Sequence, residues 1–290
     1  MIPAAFDYVR PADLGEALRI LRVREGEAKV LSGGYSLLPI LKLRLAQPAL
    51  LVDIQDIGGL DAIVETDDEL KIGARCTHRQ ILEDPVIARY PMLHDVPGGI
   101  GDPQVRNWGT IGGSIAHADP ASDWPAALLA ANARVICRSE ASERHVPARE
   151  FFIDTFTTAL EPAEVVTEIH FRRRPKGMGG AYMKIERRAG DFSTAGVAAL
   201  TRLDASGRID WAGVGVTGVS PSPFAAIAAE EVLVGGMPSD ELFRKAGAAA
   251  AGQSRPAADI RGPVDFKRAM VAELTVRSLR IAVQRALANS

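Results

Sequence analysis

The stretch VLSGGYSLLPILK, Val30 to Lys42, sets two adjacent glycines between a short apolar run and a pattern with helical spacing. A strand-to-helix turn without side chains lets backbone N–H groups converge, and the helix N-terminus that follows adds partial positive charge. Such a turn suits an anion, typically phosphate. Glycine pairs also make plain tight turns, so one copy does not decide the matter. A second copy, Thr110-Ile111-Gly112-Gly113-Ser114-Ile115-Ala116, again flanks two glycines with hydroxyl residues. Two backbone-lined segments can grip one diphosphate and satisfy its acceptor oxygens with few cationic side chains.

Competing nucleotide signatures fail on context. GxxxxGK followed by Ser or Thr does not occur. Gly213-Val214-Gly215-Val216-Thr217-Gly218 has the spacing GxGxxG, but Val219-Ser220-Pro221-Ser222-Pro223 cannot open a helix after it. Alternation through Ala212, Val214 and Val216 predicts instead a strand in which glycine permits close packing. No GxSxG or HExxH motif exists, and His78, His94, His117, His145 and His170 are scattered. His117 directly follows the second glycine pair, in His117-Ala118-Asp119-Pro120-Ala121-Ser122-Asp123. Asp123 reads either as the cap of a helix beginning at Pro125 or as a carboxylate acceptor for ligand hydroxyls, and the two roles are compatible.

At 290 residues the chain is long enough for about two domains with cores of their own. Basic and acidic residues, 34 and 36, alternate along most of it and leave a net charge of -2, which argues against nucleic acid or a membrane surface as partner. The one basic cluster, Arg172-Arg173-Arg174-Pro175-Lys176, lacks interleaved aromatics and reads as a solvated interdomain connector. Cys76 and Cys137 lie far apart without metal-ligand spacing, so both are expected to be quiet core thiols, with no metal site in the chain. No basic-then-apolar leader opens the chain and no uncharged apolar run reaches about 18 residues, so no integral membrane segment and a cytoplasmic location are expected.

Periodicity predicts helices at 13–24, 37–45, 80–90 (broken at Asp84-Pro85) and 125–133, with strands at 28–31, 50–54, 69–74, 134–138 and 165–171. Charge, proline and glycine in 172–180 mark the expected boundary, placing domains at 1–176 (subdivided near residues 55 and 56) and 177–290. Beyond it, strands at 181–187, 194–203 and 209–219 predict an antiparallel meander, followed by helices at 224–234, 240–251 and 265–287. Strands first and helices after indicate an α+β fold.

GGYSLLPILKLRLAQP, DPQVRNWGTIGGSIAHADPASDWPAAL and YMKIERRAGDFS together resemble the FAD-binding medium subunit of molybdenum hydroxylases, the xanthine dehydrogenase and aerobic carbon monoxide dehydrogenase family. The resemblance runs from FDYVRP at residues 6–11 through the C-terminal helices, essentially the whole chain, with three separated motifs in the same order. It implies a two-part FAD-binding domain of the vanillyl-alcohol-oxidase type and a small C-terminal domain with antiparallel sheet and helices. It also implies that Lys29, Val30, Leu31, Ser32, Gly33, Gly34, Tyr35, Ser36 and Leu37 line the cofactor together with Thr110, Ile111, Gly112, Gly113, Ser114 and His117. Ile100 and Gly101 match positions near the adenine end, Asp123 matches the carboxylate that meets the sugar-alcohol chain, and Val166 and Lys184 match positions beside the flavin. Lys184 also reads as an ordinary exposed strand lysine. Tyr35 stands where His, Gln or Thr is common, and Ser114 where Asn is common, so side-chain contacts differ while backbone contacts carry over.

Such a subunit accepts electrons from a partner's iron-sulfur clusters through FAD and passes them to an external oxidant, with no catalytic acid or base of its own. The resemblance implies a large molybdopterin subunit, a small subunit with two two-iron two-sulfur clusters, and a dimer of heterotrimers. Molybdopterin and clusters are expected only on those partners. Two alternatives are a self-contained FAD oxidase, for which the segment after the connector is small, and an assembly subunit without cofactor.

Overall fold

A computed structural model describes residues 1–289. The chain opens with β1 (Asp7–Val9), α1 (Leu14–Val23), β2 (Ala28–Leu31), α2 (Leu37–Lys42) and β3 (Leu50–Asp53). Asp13 caps α1 by accepting the Glu16 N–H at 2.8 Å, and Glu16 reaches back to the Ala12 N–H at 2.6 Å. With the end fixed by these two bonds, α1 buries Ala17, Leu18 and Leu21 against the strands. The three strands run parallel in the order β1-β3-β2.

The middle of the chain holds β4 (Ile63–Glu65), β5 (Glu69–Gly73), α3 (His78–Glu83), a 3-10 turn at Ile87–Arg89, α4 (Pro91–Gly98), α5 (Pro103–Trp108), α6 (Ile111–His117) and α7 (Asp123–Ala131). It continues through β6 (Arg134–Arg138), β7 (Glu143–Pro147), α8 (Ala148–Phe151), β8 (Phe152–Asp154), β9 (Thr157–Thr158) and β10 (Val165–Arg172). An antiparallel sheet in the order β4-β5-β10-β6-β7 gives this part its frame, and Leu70, Ile72 and Ile169 from it share a core with Ile111, Ile115, Trp124 and Leu128 from the helices.

The last part holds β11 (Met178–Ile185), β12 (Ala195–Leu203), β13 (Ile209–Thr217), β14 (Phe224–Ala225), α9 (Ile227–Leu233), α10 (Asp240–Gln253) and α11 (Val264–Leu287). The meander β11-β12-β13-β14 is antiparallel, as the alternation predicted. One face is covered by α9 and α11, with α10 packed on those two helices, and α7 from the middle part packs on β12 and β13. Gly213 and Gly215 permit that approach, since a Cβ on Gly215 would stand 2.0 Å from the Ala126 carbonyl oxygen. Every residue of α7 from Asp123 to Ala130 is buried.

Several expectations need correction. The 172–176 cluster is not wholly solvated: Arg174 donates to the carbonyls of Met178 at 2.9 Å, Arg89 at 2.8 Å and Arg285 at 3.3 Å, tying the connector to both sides. The helix expected from residue 224 starts at Ile227, after the two-residue strand β14. The helix placed at 125–133 spans Asp123–Ala131. At 80–90, Asp84 interrupts, its Oδ1 accepting the N–H groups of Val86 and Ile87 at 2.7 and 3.2 Å.

Candidate cofactor site

At the end of β2 the backbone passes through Ser32 and Gly33 into Gly34, which adopts a φ of +77° before α2 begins. Among the described residues, the N–H groups of Gly33, Gly34, Tyr35 and Ser36 meet no acceptor. Four successive unengaged donors in a turn that crosses the left-handed region have the backbone arrangement that suits an anion. The space left by the missing Gly33 side chain has another use than the sequence suggests. A Cβ there would stand 2.0 Å from the Trp108 carbonyl oxygen, so the bare residue admits the end of α5. Directly beside it, the hydroxyls of Ser32 and Thr110 meet at 3.1 Å.

The second glycine pair is a helix start rather than a loop. Thr110 caps α6 by accepting the Gly113 N–H at 3.1 Å. Ile111 donates to the Cys76 carbonyl at 3.1 Å, Gly112 to Ala74 at 2.8 Å and Ser114 to Thr110 at 3.0 Å. These four N–H groups are therefore taken up inside the chain, and the segment offers the exposed backbone of Gly113 and the exposed Ala116. His117, at the end of α6, packs its ring 5.0 Å from Phe156. Burial pushes its imidazolium pKa down, and the nearby charge of Lys29, exposed on β2, adds to the effect.

Asp123 opens α7 but does not cap it; Ser122 holds the cap position without a side-chain bond. The carboxylate is instead consumed across the boundary with β11. Its Oδ1 accepts the Tyr182 hydroxyl at 2.5 Å and the Ser193 hydroxyl at 2.7 Å, and its Oδ2 accepts the Lys184 ammonium at 3.2 Å. Burial raises the Asp123 pKa, while Lys184, Tyr182 and Ser193 oppose the rise by stabilising the ionised form. Burial together with the Asp123 charge pushes the Tyr182 phenol well above its ordinary value. Lys184 is not an exposed strand lysine: its side chain is 7% exposed, donates to the Asp191 carbonyl at 3.0 Å and pairs with Glu186 at 2.9 Å.

Lys184 also passes the end of α4, its Cε lying 3.2 Å from where a Gly99 Cβ would stand. Ile100 and Gly101 follow, their carbonyls each accepting the Arg106 guanidinium at 3.0 Å, and the Gly101 backbone touches Gly190 of the β11–β12 loop. The glycine segments and the Asp123 cluster are joined by one bond, Ser114 to Ser122, at 2.7 Å. Val166 lies on β10 opposite Cys137, 5% exposed, in the core cluster that also holds Ile111 and Tyr182.

Sequence reasoning missed Tyr182 and Ser193 as partners of Asp123. For Tyr182 a signal was present, because Tyr182 and Lys184 alternate along β11 and so share one face. The arrangement fits the cofactor that the resemblance implies: a cluster of N–H donors suits a diphosphate, and a buried carboxylate paired with a lysine ammonium suits the hydroxyls of a sugar alcohol.

Comparison with known proteins agrees with that chemistry. Residues 4–172 match the family described as FAD binding domain in molybdopterin dehydrogenase, and residues 180–282 match the CO dehydrogenase flavoprotein C-terminal domain. The carbon monoxide dehydrogenase medium chain of Hydrogenophaga pseudoflava is 38% identical, with 97% of this chain and 98% of that one covered. The solved carbon monoxide dehydrogenase from the same organism, in a form lacking the Mo-pyranopterin moiety, superposes with a TM-score of 0.95 at 40% identity over 98% of this chain and 99% of that one. Quinoline 2-oxidoreductase from Pseudomonas putida 86 gives a TM-score of 0.92 at 31% identity, over 99% of this chain and 100% of that one. The chain is thus an α+β protein with an FAD-binding part and a C-terminal flavoprotein part, and it belongs to the family of FAD-binding subunits of molybdopterin dehydrogenases.

Proposed function

We propose that this chain is the flavoprotein component of a multi-subunit molybdenum hydroxylase, taking electrons from a partner's iron-sulfur clusters and delivering them to an external acceptor. The observation that carries the proposal is the run of four unengaged N–H groups at Gly33–Ser36, packed through Ser32 on Thr110, with Ser114 bonded to the hydroxyl of Ser122, the residue before the buried Asp123. Its relatives include the subunits of several chemically different dehydrogenases, acting on carbon monoxide, glyceraldehyde or caffeine by their names, so family membership leaves the substrate with the partner.

Bound FAD supplies the redox chemistry, and the residues of this chain bind and orient it. Gly33, Gly34, Tyr35 and Ser36 donate to the diphosphate, while Gly113 presents an exposed backbone surface alongside. Asp123 accepts from the sugar-alcohol chain, and Lys184 holds positive charge beside that carboxylate. Lys29 to Leu37, Thr110 to Ser114, His117, Ile100, Gly101 and Val166 complete the proposed lining. The gap between the two family matches, residues 173–179, supports a division near residue 176.

A large molybdopterin subunit and a small subunit with two two-iron two-sulfur clusters complete the proposed assembly, as a dimer of heterotrimers in the cytoplasm. Among the described residues, no helix is long and apolar enough to cross a membrane. The test is to titrate the purified chain with FAD, then to co-express it with a large molybdopterin subunit and a small iron-sulfur subunit of this family from the same genome and weigh the product. Stoichiometric FAD uptake and a three-subunit complex are expected. A lone chain that oxidises a substrate of its own, or one that binds no FAD, would overturn the proposal.

A further inference from the structure

Asp123 comes from the FAD-binding part, yet three of its contacts come from the C-terminal part: Tyr182 and Lys184 on β11 and Ser193 in the loop before β12. An ionised carboxylate offers about four acceptor positions. The Tyr182 and Ser193 hydroxyls occupy both on Oδ1, and the Lys184 ammonium occupies one on Oδ2. One position on Oδ2 is left, on a carboxylate whose side chain is 8% exposed.

We propose that Tyr182 and Ser193 are positioning residues that lock the Asp123 carboxylate so that it accepts one hydroxyl of the cofactor's sugar-alcohol chain, through Oδ2 alone. This rests on the flavin reading given above. The geometry makes cofactor affinity depend on the C-terminal part, although the diphosphate donors lie in the other. Tyr182 is well held for this role, being 7% exposed, with its hydroxyl also 3.3 Å from that of Ser193 and its own N–H fixed by Asp95 Oδ2 at 3.1 Å. A phenol held at both ends cannot follow the carboxylate if the ligand pulls it aside.

The groups facing the carboxylate are Tyr182 and Lys184 from β11 and Ser193 from the loop, with Glu186 behind Lys184. Each hydroxyl donor favours the ionised form against burial, so deleting one raises the pH at which Asp123 takes up a proton.

The experiment uses the full chain, depleted of flavin, in wild-type, Tyr182→Phe and Ser193→Ala forms. Each is titrated by fluorescence with FAD and with FAD analogues lacking single ribityl hydroxyls. Wild type is expected to bind FAD and to lose about tenfold in affinity for one analogue, the size of a lost hydrogen bond to a charged group. In Tyr182→Phe, and less strongly in Ser193→Ala, FAD affinity falls toward the value for that analogue and discrimination between the two shrinks. The acid limb of the affinity profile moves to higher pH. A merely structural role would weaken FAD and every analogue alike. Ser193→Ala keeps the test open if Tyr182→Phe fails to fold. Failure of wild type to bind FAD defeats the flavin reading itself. Wild-type binding with unchanged discrimination in both variants overturns the positioning role alone.

Discussion

At the residue scale, Gly33 shows what a sequence pattern does and does not disclose. Two glycines between strand and helix announced a bare turn, and the turn exists, but its tightest neighbour is Trp108, far along the chain. Local periodicity carries no information about such a contact. Gly33→Ala forces a Cβ against the Trp108 carbonyl; overpacking of this kind costs about 1–3 kcal/mol and should separate Ser32 from Thr110. Thermal melting of the flavin-depleted chain and an FAD titration should both show the loss, and an unchanged affinity would detach the turn contact from binding. His78 offers a second residue-level test. Its Nδ1 accepts the Trp124 indole N–H at 3.1 Å, and burial, with Arg106 adding, holds its pKa down at about 3 from an ordinary 6.5. The folded chain keeps this ring neutral while the unfolded chain protonates below 6.5. The stability present above pH 6.5 is therefore lost as pH falls toward about 3, by up to about 1.4 kcal/mol per pH unit. Urea unfolding between pH 7.5 and pH 5 should show a shallower slope in His78→Gln, whose amide oxygen can still accept from Trp124. Equal slopes would mean that the ring titrates in the fold.

At the element scale, long amphipathic segments were legible and short capped ones were not. Helices α1, α10 and α11 follow from apolar spacing because each buries one face, and strands β12 and β13 from near-continuous apolar runs that are buried on both faces. The sequence reading assigned no helix to α4, α5 or α6, which contain Pro97-Gly98, Pro103 and Gly112-Gly113 and look like breakers. Capping explains two of them, since Asp102 accepts the Val105 N–H at 2.9 Å ahead of Pro103 and Thr110 caps α6, while α4 has no side-chain cap and starts on Pro91. The glycines of β13 make an element-level prediction by contrast with Gly252 in α10. Gly215→Val drives a side chain into α7, whose first residue is Asp123, and should cost about 3 kcal/mol or more and weaken FAD binding. Gly252 faces open space within a helix, so Gly252→Ala should stabilise by about 0.5–1 kcal/mol without touching the site. Melting curves of the two variants should move in opposite directions.

At the scale of the whole molecule, the FAD-binding and C-terminal parts are held together by charge placed where the sequence showed only a basic connector. Asp95 on α4 accepts the Arg285 guanidinium from α11 at 2.6 and 3.1 Å and the Tyr182 N–H at 3.1 Å, and Arg285 also donates to the Gly180 carbonyl at 2.8 Å. Arg174 closes the same junction through carbonyls on three segments, and Asn289 donates to Pro175 and Met178 at 3.0 and 3.1 Å. None of this was legible, because Asp95 and Arg285 are 190 positions apart and each reads alone as an ordinary surface charge. Removing the carboxylate leaves the Arg285 fork and the Tyr182 amide without their acceptor. Asp95→Ala should therefore cost about 1–3 kcal/mol, the range for hydrogen bonds to a charged group, moderated because the pair is partly exposed. Since Tyr182 is also fixed to Asp123, the same substitution should weaken FAD binding from a distance. It should also speed proteolytic cleavage in the 172–178 connector. Asp95→Asn can still accept the Tyr182 N–H but loses the charge, so it should recover FAD affinity more than stability. Protease sensitivity and flavin titration of both variants read the two effects separately. Equal losses in both quantities for the two variants would show that charge alone, rather than the amide bond to Tyr182, links the junction to the site.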